Sequence, residues 1–161
     1  MRPVRLLILL FSICLLIEPS KSQSKSNIVG IWEDAESYGS DARGDIYILK
    51  QDRTFRFIFS QYHWAGRRII AFSGKYWTTN DSIYFQIMET EEIVGGRIEN
   101  DGPPNGLGWI VRDGQQKVFN QKDNNPVGLG LSCESKDNHD YILIERHKFI
   151  LVERNPNAKY D

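Results

Sequence analysis

The three histidines of this chain are the first residues to consider as metal ligands or general bases. They are His63, His139 and His147. A zinc site or an acid–base site brings such side chains together with further histidines or carboxylates. These three are scattered along the sequence, and His147 falls in a predicted hairpin turn. We therefore expect no metal site and no cofactor.

The carboxylates do not form a catalytic pattern either. His139 is followed directly by Asp140, but adjacent residues of a strand point to opposite faces, so this pair cannot act as a base and its orienting group. The run of Glu89, Glu91 and Glu92 fits a solvated strand end. We expect that the protein is not an enzyme. An enzymatic barrel acting on a lipophilic substrate would need a buried polar cluster that the sequence does not reveal.

The N-terminal segment has the pattern of a secretory signal peptide. A basic start is followed by the apolar run Leu6–Ile17, and Ser20 and Ser22 supply the small residues of a cleavage site after Ser22. The apolar run is shorter than the roughly 20 residues that a membrane-spanning helix needs. We expect a secreted or periplasmic protein without a membrane span. The chain then divides into the signal peptide, residues 1–22, and one domain, residues 23–161.

The net charge and the cysteine content limit which binding partners and which disulfides we expect. The formal net charge is −1 with both signs interspersed, which does not favour binding to nucleic acid. Only Cys133 follows the predicted cleavage site, so no disulfide can form within the domain. A lone cysteine typically behaves as a small buried hydrophobe, and we expect Cys133 to be buried. We expect a monomer whose stability comes from a hydrophobic core.

Short alternating segments separated by turn residues predict strands almost throughout the domain. Phe55, Phe57 and Phe59 share one face of such a segment, with polar residues between them. A bend or bulge is predicted at Gly95-Gly96, and a hairpin turn at Asp113-Gly114. The predicted strands cover residues 28–33, 45–50, 54–60, 68–77, 82–88, 91–99, 107–112, 117–120, 140–145 and 149–154, with a further strand where Val127, Leu129 and Leu131 alternate.

Such a series of strands and tight turns favours an antiparallel meander over parallel units with helices. Closing the sheet on itself removes its edges. The predicted fold is all-β, a single up-and-down antiparallel β-barrel of 8–10 strands. About eight strands leave room for one small ligand.

The segment Asn27-Ile-Val-Gly30-Ile-Trp32 resembles the first-strand motif of lipocalins and their calycin relatives. Asp140-Tyr141 is similar to a weaker motif of the same family, and Arg154 resembles the arginine that packs across the conserved tryptophan. The resemblance implies a lipocalin-like barrel in which Gly30, Trp32 and Arg154 are structural, with Trp32 plugging the closed end. Any ligand would then enter from the opposite end.

The aromatic face is the candidate binding surface. Phe55, Phe57 and Phe59, with Phe72, Phe85 and Trp109 as neighbours, could line a cavity for a small hydrophobic molecule. The same residues could instead simply fill the barrel.

Two long loops, residues 100–108 and 121–139, support an alternative function as a protein-interaction or inhibitor module with a filled barrel.

Overall fold

The structure is a computed structural model of the chain. It describes residues 27–38, 44–60, 68–100, 109–122 and 125–158. The predicted signal peptide and His63 lie outside the described residues, as does the predicted loop 100–108 apart from Asn100.

Nine strands occupy most of the described residues, and each pairs with its neighbours in antiparallel register. Tight turns between short apolar segments leave antiparallel pairing as the way to satisfy the backbone hydrogen bonds. The strands are β1 (Gly30–Asp34), β2 (Ile46–Leu49), β3 (Thr54–Ile58), β4 (Ile69–Thr78), β5 (Ser82–Asn100), β6 (Trp109–Asn120), β7 (Val127–Lys136), β8 (His139–Ile144) and β9 (His147–Glu153).

The sheet closes into a barrel because β1 pairs with both β2 and β9 while β4 pairs with β5. β6 and β7 lie in line along the same edge of β5. The segment Glu89–Asn100 pairs with β6, and Ser82–Phe85 pairs with β7. The closed wall therefore has eight strand positions in up-and-down order. This confirms the predicted fold class.

The barrel has two distinguishable ends. At the floor end, β1 begins at Gly30 and β9 finishes at Glu153. At the mouth end, β1 finishes at Asp34 and β3 finishes at Ile58. The lumen between them is filled from the alternating faces of the strands, as the period of two predicts.

Two-residue turns join the last strands. Asp137 and Asn138 between β7 and β8, and Glu145 and Arg146 between β8 and β9, all have positive φ. Two successive positive φ values are the geometry of the type I′ turn, whose twist matches that of the flanking strands. The sequence predicts the second turn one residue later, at 146–148.

The hairpin predicted at Asp113-Gly114 is wrong, because β6 runs continuously through these residues and pairs with β5 along its length. The local feature is a bend shared by both strands. Asp113 has φ 59°, and Gly95 and Gly96 opposite have φ 73° and 69°, yet the register is the same on both sides. Asp113-Gly114, which the sequence predicts as a hairpin turn, therefore forms a bend, because β5 supplies hydrogen-bond partners along the whole of β6.

A sharper irregularity lies at Met88, four residues before the pairing of β5 with β4 ends. The register between β4 and β5 shifts so that Ser73 faces Glu89 while Gly74 faces Ile87, and Met88 bulges between them. Bulges increase strand bending. Beyond Glu92, the last residue of β5 that faces β4, the described pairing of β5 is with β6. We call this two-stranded extension, residues 93–100 and 109–116, the β5–β6 ribbon.

The strand predicted from Val127, Leu129 and Leu131 is present as β7. It converts most of the predicted loop 121–139 into barrel wall. The expectation that Cys133 is buried is wrong, because Cys133 is exposed. It lies in the part of β7 that lines an open cleft at the floor end, where no second layer covers its side chain.

The bulge at Met88 makes Gly74 sensitive to substitution. A Cβ at Gly74 would lie 2.0 Å from the Gln86 carbonyl oxygen, so Gly74→Ala must displace backbone. We expect the free energy of unfolding, measured with urea, to fall by about 2 kcal/mol or more. Gly130→Ala is the matched control, because the nearest atom to its Cβ is a Glu145 side-chain oxygen at 3.8 Å. Equal midpoints for the two variants would contradict this assignment.

Candidate functional site

The ring of Tyr47 lies across the lumen of the barrel, at a point between the floor end and the mouth end. Its centroid lies 4.4 Å from that of Phe57, 5.4 Å from that of Phe85 and 5.0 Å from that of Phe149. Phe57 lies directly opposite Tyr47 on the neighbouring strand β3, whereas Phe85 on β5 and Phe149 on β9 come from strands that do not pair with β2. We call Tyr47, Phe85 and Phe149 the Tyr47 layer.

The sequence reasoning missed Tyr47, although its alternation with Leu49 in a short apolar strand placed both on one face. Its ring is partly buried against the hydrophobic core. Burial, with a smaller contribution from the charge of Asp45, raises the pKa of the Tyr47 hydroxyl well above its ordinary value. The phenol is therefore neutral throughout the physiological pH range.

On the floor side of the Tyr47 layer, the lumen is filled. Leu49, Ile83 and Ile142 are 0% exposed. Phe55 is buried and packs against Phe85, with ring centroids 4.7 Å apart. Phe55 and Phe85 thus form part of the core in this half of the barrel.

On the mouth side, three inward-facing phenylalanines contact one another and remain half-buried. The centroid of the Phe59 ring lies 4.7 Å from that of Phe57 and 5.1 Å from that of Phe72, and both pairs are edge-to-face. We call these three residues the mouth cluster. Thr90 lies opposite Phe72 in the register, and its hydroxyl accepts a hydrogen bond from the Gln121 amide at 2.5 Å.

The structure does not bring Trp109 to this aromatic face. Its backbone pairs with Asn100 at the far end of the β5–β6 ribbon. At about 3.4 Å per residue, Asn100 lies roughly 27 Å along β5 from Glu92, where the wall ends. The sequence reasoning placed Trp109 in a local hairpin, and the separation follows from the continuous pairing of β6 with β5.

The residues that carry the family resemblance meet at the floor end. Trp32 is 2% exposed, and its indole N–H donates to the Ile28 carbonyl at 2.8 Å. Arg154 donates to the Asn27 carbonyl at 3.0 Å and forms an ion pair with Asp140. Both side chains therefore hold the segment that precedes β1.

Gly30 is where this segment enters the wall. A Cβ at this position would lie 2.8 Å from the Glu153 carbonyl oxygen and 2.7 Å from a Leu151 methyl group. The close approach of β1 to β9 requires glycine here.

A cleft of about 450 Å³ opens beside this floor segment. The Ser135 hydroxyl, which donates to the Asp140 carboxylate, lowers the pKa of Asp140, and Arg154 adds to the effect. The charges of Asp140 and Arg154 therefore neutralise each other. The hydrogen bonds from Trp32 and Arg154 in this cleft hold the segment that precedes β1. The lining residues are Asn27, Ile28, Trp32, Cys133, Glu134, Ser135, Asp140, Tyr141 and Arg154.

The described histidines have separate surroundings. The centroid of the His139 ring lies 6.4 Å from that of Tyr38 and 6.3 Å from that of Tyr141. His147 is the first residue of β9. In the part of the chain that the structure describes, no group of three or more His, Cys, Asp or Glu residues could hold a metal ion. Within the same ranges, no helix has the length and apolar character needed to cross a membrane.

Comparison with known proteins adds no relative. No protein-family model, no curated protein and no solved structure matches this chain.

The buried phenol of Tyr47 predicts a loss of stability at alkaline pH. Above about pH 10 the unfolded chain releases this proton while the folded chain retains it, so the free energy of unfolding should fall as the pH rises further. Urea titrations at pH 8, 10 and 11 measure the slope. Tyr47→Phe keeps the ring contacts and should lose stability less steeply. The pKa of Tyr76 is also raised by burial, so some decline should remain in both proteins. Parallel profiles would show that Tyr47 does not titrate as described.

Proposed function

We propose that this protein is a secreted, lipocalin-like barrel that binds a small apolar ligand at its mouth end, without catalysing a reaction. The observation that carries the proposal is the mouth cluster. Phe57, Phe59 and Phe72 face the lumen, yet the packing of the protein leaves them half-buried.

Inward-facing aromatic rings that remain partly exposed to solvent favour the binding of an apolar ligand. Burying apolar surface contributes about 25 cal/mol per Å². Ligand sites are typically concave and apolar, with a few polar groups, and the Thr90 hydroxyl beside Phe72 is such a group.

The family assignment is part of the proposal. The closed eight-strand barrel in up-and-down order is compatible with a lipocalin-like fold. The buried Trp32 and the hydrogen bond from Arg154 to the Asn27 carbonyl at the floor end support it, since both side chains hold the segment that precedes β1. The basic and apolar N-terminal segment supports secretion to the periplasm or the cell exterior.

The fluorescent probe N-phenyl-1-naphthylamine tests ligand binding directly. We expect fluorescence enhancement with the purified protein, and a loss of affinity of tenfold or more in Phe59→Ser and Phe72→Ser. Tenfold corresponds to about 1.4 kcal/mol, the scale of one lost aromatic contact surface. Val118→Ser is the control, because Val118 is apolar and 60% exposed on β6. Absence of enhancement, or equal loss in all three variants, would refute a ligand site at the mouth cluster.

A second candidate function, protein interaction, is favoured by the β5–β6 ribbon and its base. Val94, Ile98, Val118 and Phe119 are exposed there. Of the two loops proposed for this function, 100–108 lies outside the described residues apart from Asn100, and residues 127–136 of the other, 121–139, belong to the wall as β7.

Charged groups on the ribbon already have partners within it. Glu99 forms ion pairs with Arg97 and with Arg112, the latter at 2.7 Å. Partner binding would therefore rest on the apolar side chains rather than on these charges.

The two candidate functions predict opposite behaviour of the same variants. If the ribbon is the functional surface, the double variant Ile98→Ser/Val118→Ser should lose proteins captured from the source's own extracellular fluid, whereas Phe72→Ser should retain them. Quantitative mass spectrometry of the captured proteins measures the effect. Equal capture by the wild type and the double variant would remove this candidate.

A further inference from the structure

We propose that two copies of this protein pair through the β5–β6 ribbon, with the outer edges of their β6 strands side by side and antiparallel. The partner that this inference names for the ribbon is a second copy of the chain. It is independent of the proposed ligand site at the mouth cluster, and it replaces the sequence-based expectation of a monomer.

The edge of β6 that faces away from β5 has no partner among the described strands. β6 is the last strand in the sheet order, and its described pairing is with β5 alone. The Gln121 amide, directly after β6, donates to the Met88 carbonyl, so the odd-numbered residues before it direct their backbone groups to β5. By alternation, the backbone groups of Gly114, Gln116 and Val118 point to the open edge. Such a row on an edge strand is a template for pairing with another chain.

The opposite edge of the ribbon, on β5, is closed near the barrel wall. The Ile93 amide donates to the Arg68 carbonyl at 2.7 Å. The Arg68 guanidinium donates to the Ile93 carbonyl at 3.3 Å and also to the Gly95 carbonyl. Covering an edge in this way protects it from other chains. Near the wall, the edge that remains open to association is therefore that of β6.

The ribbon has few strands to support it. Beyond Glu92 its described pairing is that of two strands, and a two-stranded sheet in water is marginally stable without a further strand or a packing layer. Val94 and Ile98 on β5 are 36% and 47% exposed, and Val118 at the base of the ribbon is 60% exposed. Pairing two ribbons through β6 makes a four-stranded sheet and removes part of this apolar surface from water.

The charges of β6 favour an antiparallel arrangement about a two-fold axis at Gln115. This axis places Gly114 opposite Gln116 of the other copy, so that their outward backbone groups can bond to each other. It also places Asp113 opposite Lys117 of the other copy, once on each side of the axis. Oppositely charged cross-strand pairs stabilise a sheet and like charges destabilise it. An axis at Lys117 or at Asp113 would instead oppose two like charges.

Both members of this charge pair are accessible. Lys117 is exposed, and in the part of the chain that the structure describes its ammonium group makes no hydrogen bond or ion pair. The Asp113 side chain is 79% exposed, and its ion pair with Arg97 is long, at 3.9 Å. The pairing of β5 with β6 keeps one register on both sides of the bend at Asp113. The order of groups along β6 is therefore the same before and after the bend.

Sedimentation velocity of the purified protein, over about two orders of magnitude in concentration, tests the pairing. We expect a reversible equilibrium between monomer and dimer. Gln116→Pro removes an N–H that points to the open edge, and proline is tolerated on edge strands. It should raise the dissociation constant of the dimer at least tenfold. Gln116→Ser retains the N–H, is the matched control, and should change the constant less than threefold.

A double-mutant cycle tests the position of the axis. Asp113→Asn and Lys117→Gln should each weaken the dimer, and the double variant should weaken it no further than either single variant, because the two side chains act on each other across the copies. Asparagine tolerates the φ of 59° at position 113. The two residues are about 14 Å apart along one strand, so their coupling cannot arise within one chain.

Each outcome bears on a separate part of the inference. A protein that stays monomeric over the whole concentration range overturns it. Equal dissociation constants for the wild type and Gln116→Pro would exclude the β6 edge, and additive losses in the cycle would exclude the axis at Gln115. If Gln116→Pro shows no cooperative thermal transition, Val118→Lys places a charge on the same edge, opposite Arg112 of the other copy, and should weaken the dimer in the same way.

Fluorescence enhancement of N-phenyl-1-naphthylamine should be the same in all of these variants as in the wild type. Failure of the dimer and failure of the mouth site are therefore distinguishable.

Discussion

Packing of the Tyr47 ring across the lumen is the interaction on which the rest of this barrel depends. A closed sheet of eight strand positions must fill its interior, and here one side chain from the shortest strand reaches rings on β3, β5 and β9. Each such pair contributes about 0.5–1.5 kcal/mol beyond its area burial. The layer separates the filled floor half of the lumen from the half that contains the mouth cluster.

The two halves have different physical roles. At the floor end, Trp32 and Arg154 hold the chain segment before β1, and the ion pair of Arg154 with Asp140 is exposed enough that it positions rather than strongly stabilises. At the mouth end, the mouth cluster retains partly exposed aromatic surface. The described core below the Tyr47 layer is therefore packed, whereas the phenylalanine rings of the mouth cluster stay half-buried.

The sequence pattern predicted the elements that depend on local periodicity. The alternation of Phe55 and Phe57 correctly indicated one inward face, and that of Val127 and Leu129 indicated β7 inside an apparent loop. Predictions that depended on a turn signal or on residue type alone failed. Asp113-Gly114 became a bend, and Cys133 became exposed, because each outcome depends on distant backbone or on the absence of a covering layer.

By itself, the sequence determined the all-β class, the antiparallel meander and the side chains available to the lumen, because strand period and turn chemistry are encoded within a few residues. Only the tertiary structure decided which of those side chains meet. β5 continues beyond Glu92, its last residue paired with β4, and pairs with β6 as the ribbon, which separates the backbone of Trp109 from the phenylalanines. The contacts of Tyr47 with Phe85 and Phe149 were decided in the same way, since β5 and β9 are distant from β2 in sequence and do not pair with it, and their side chains meet that of Tyr47 only across the lumen of the closed barrel.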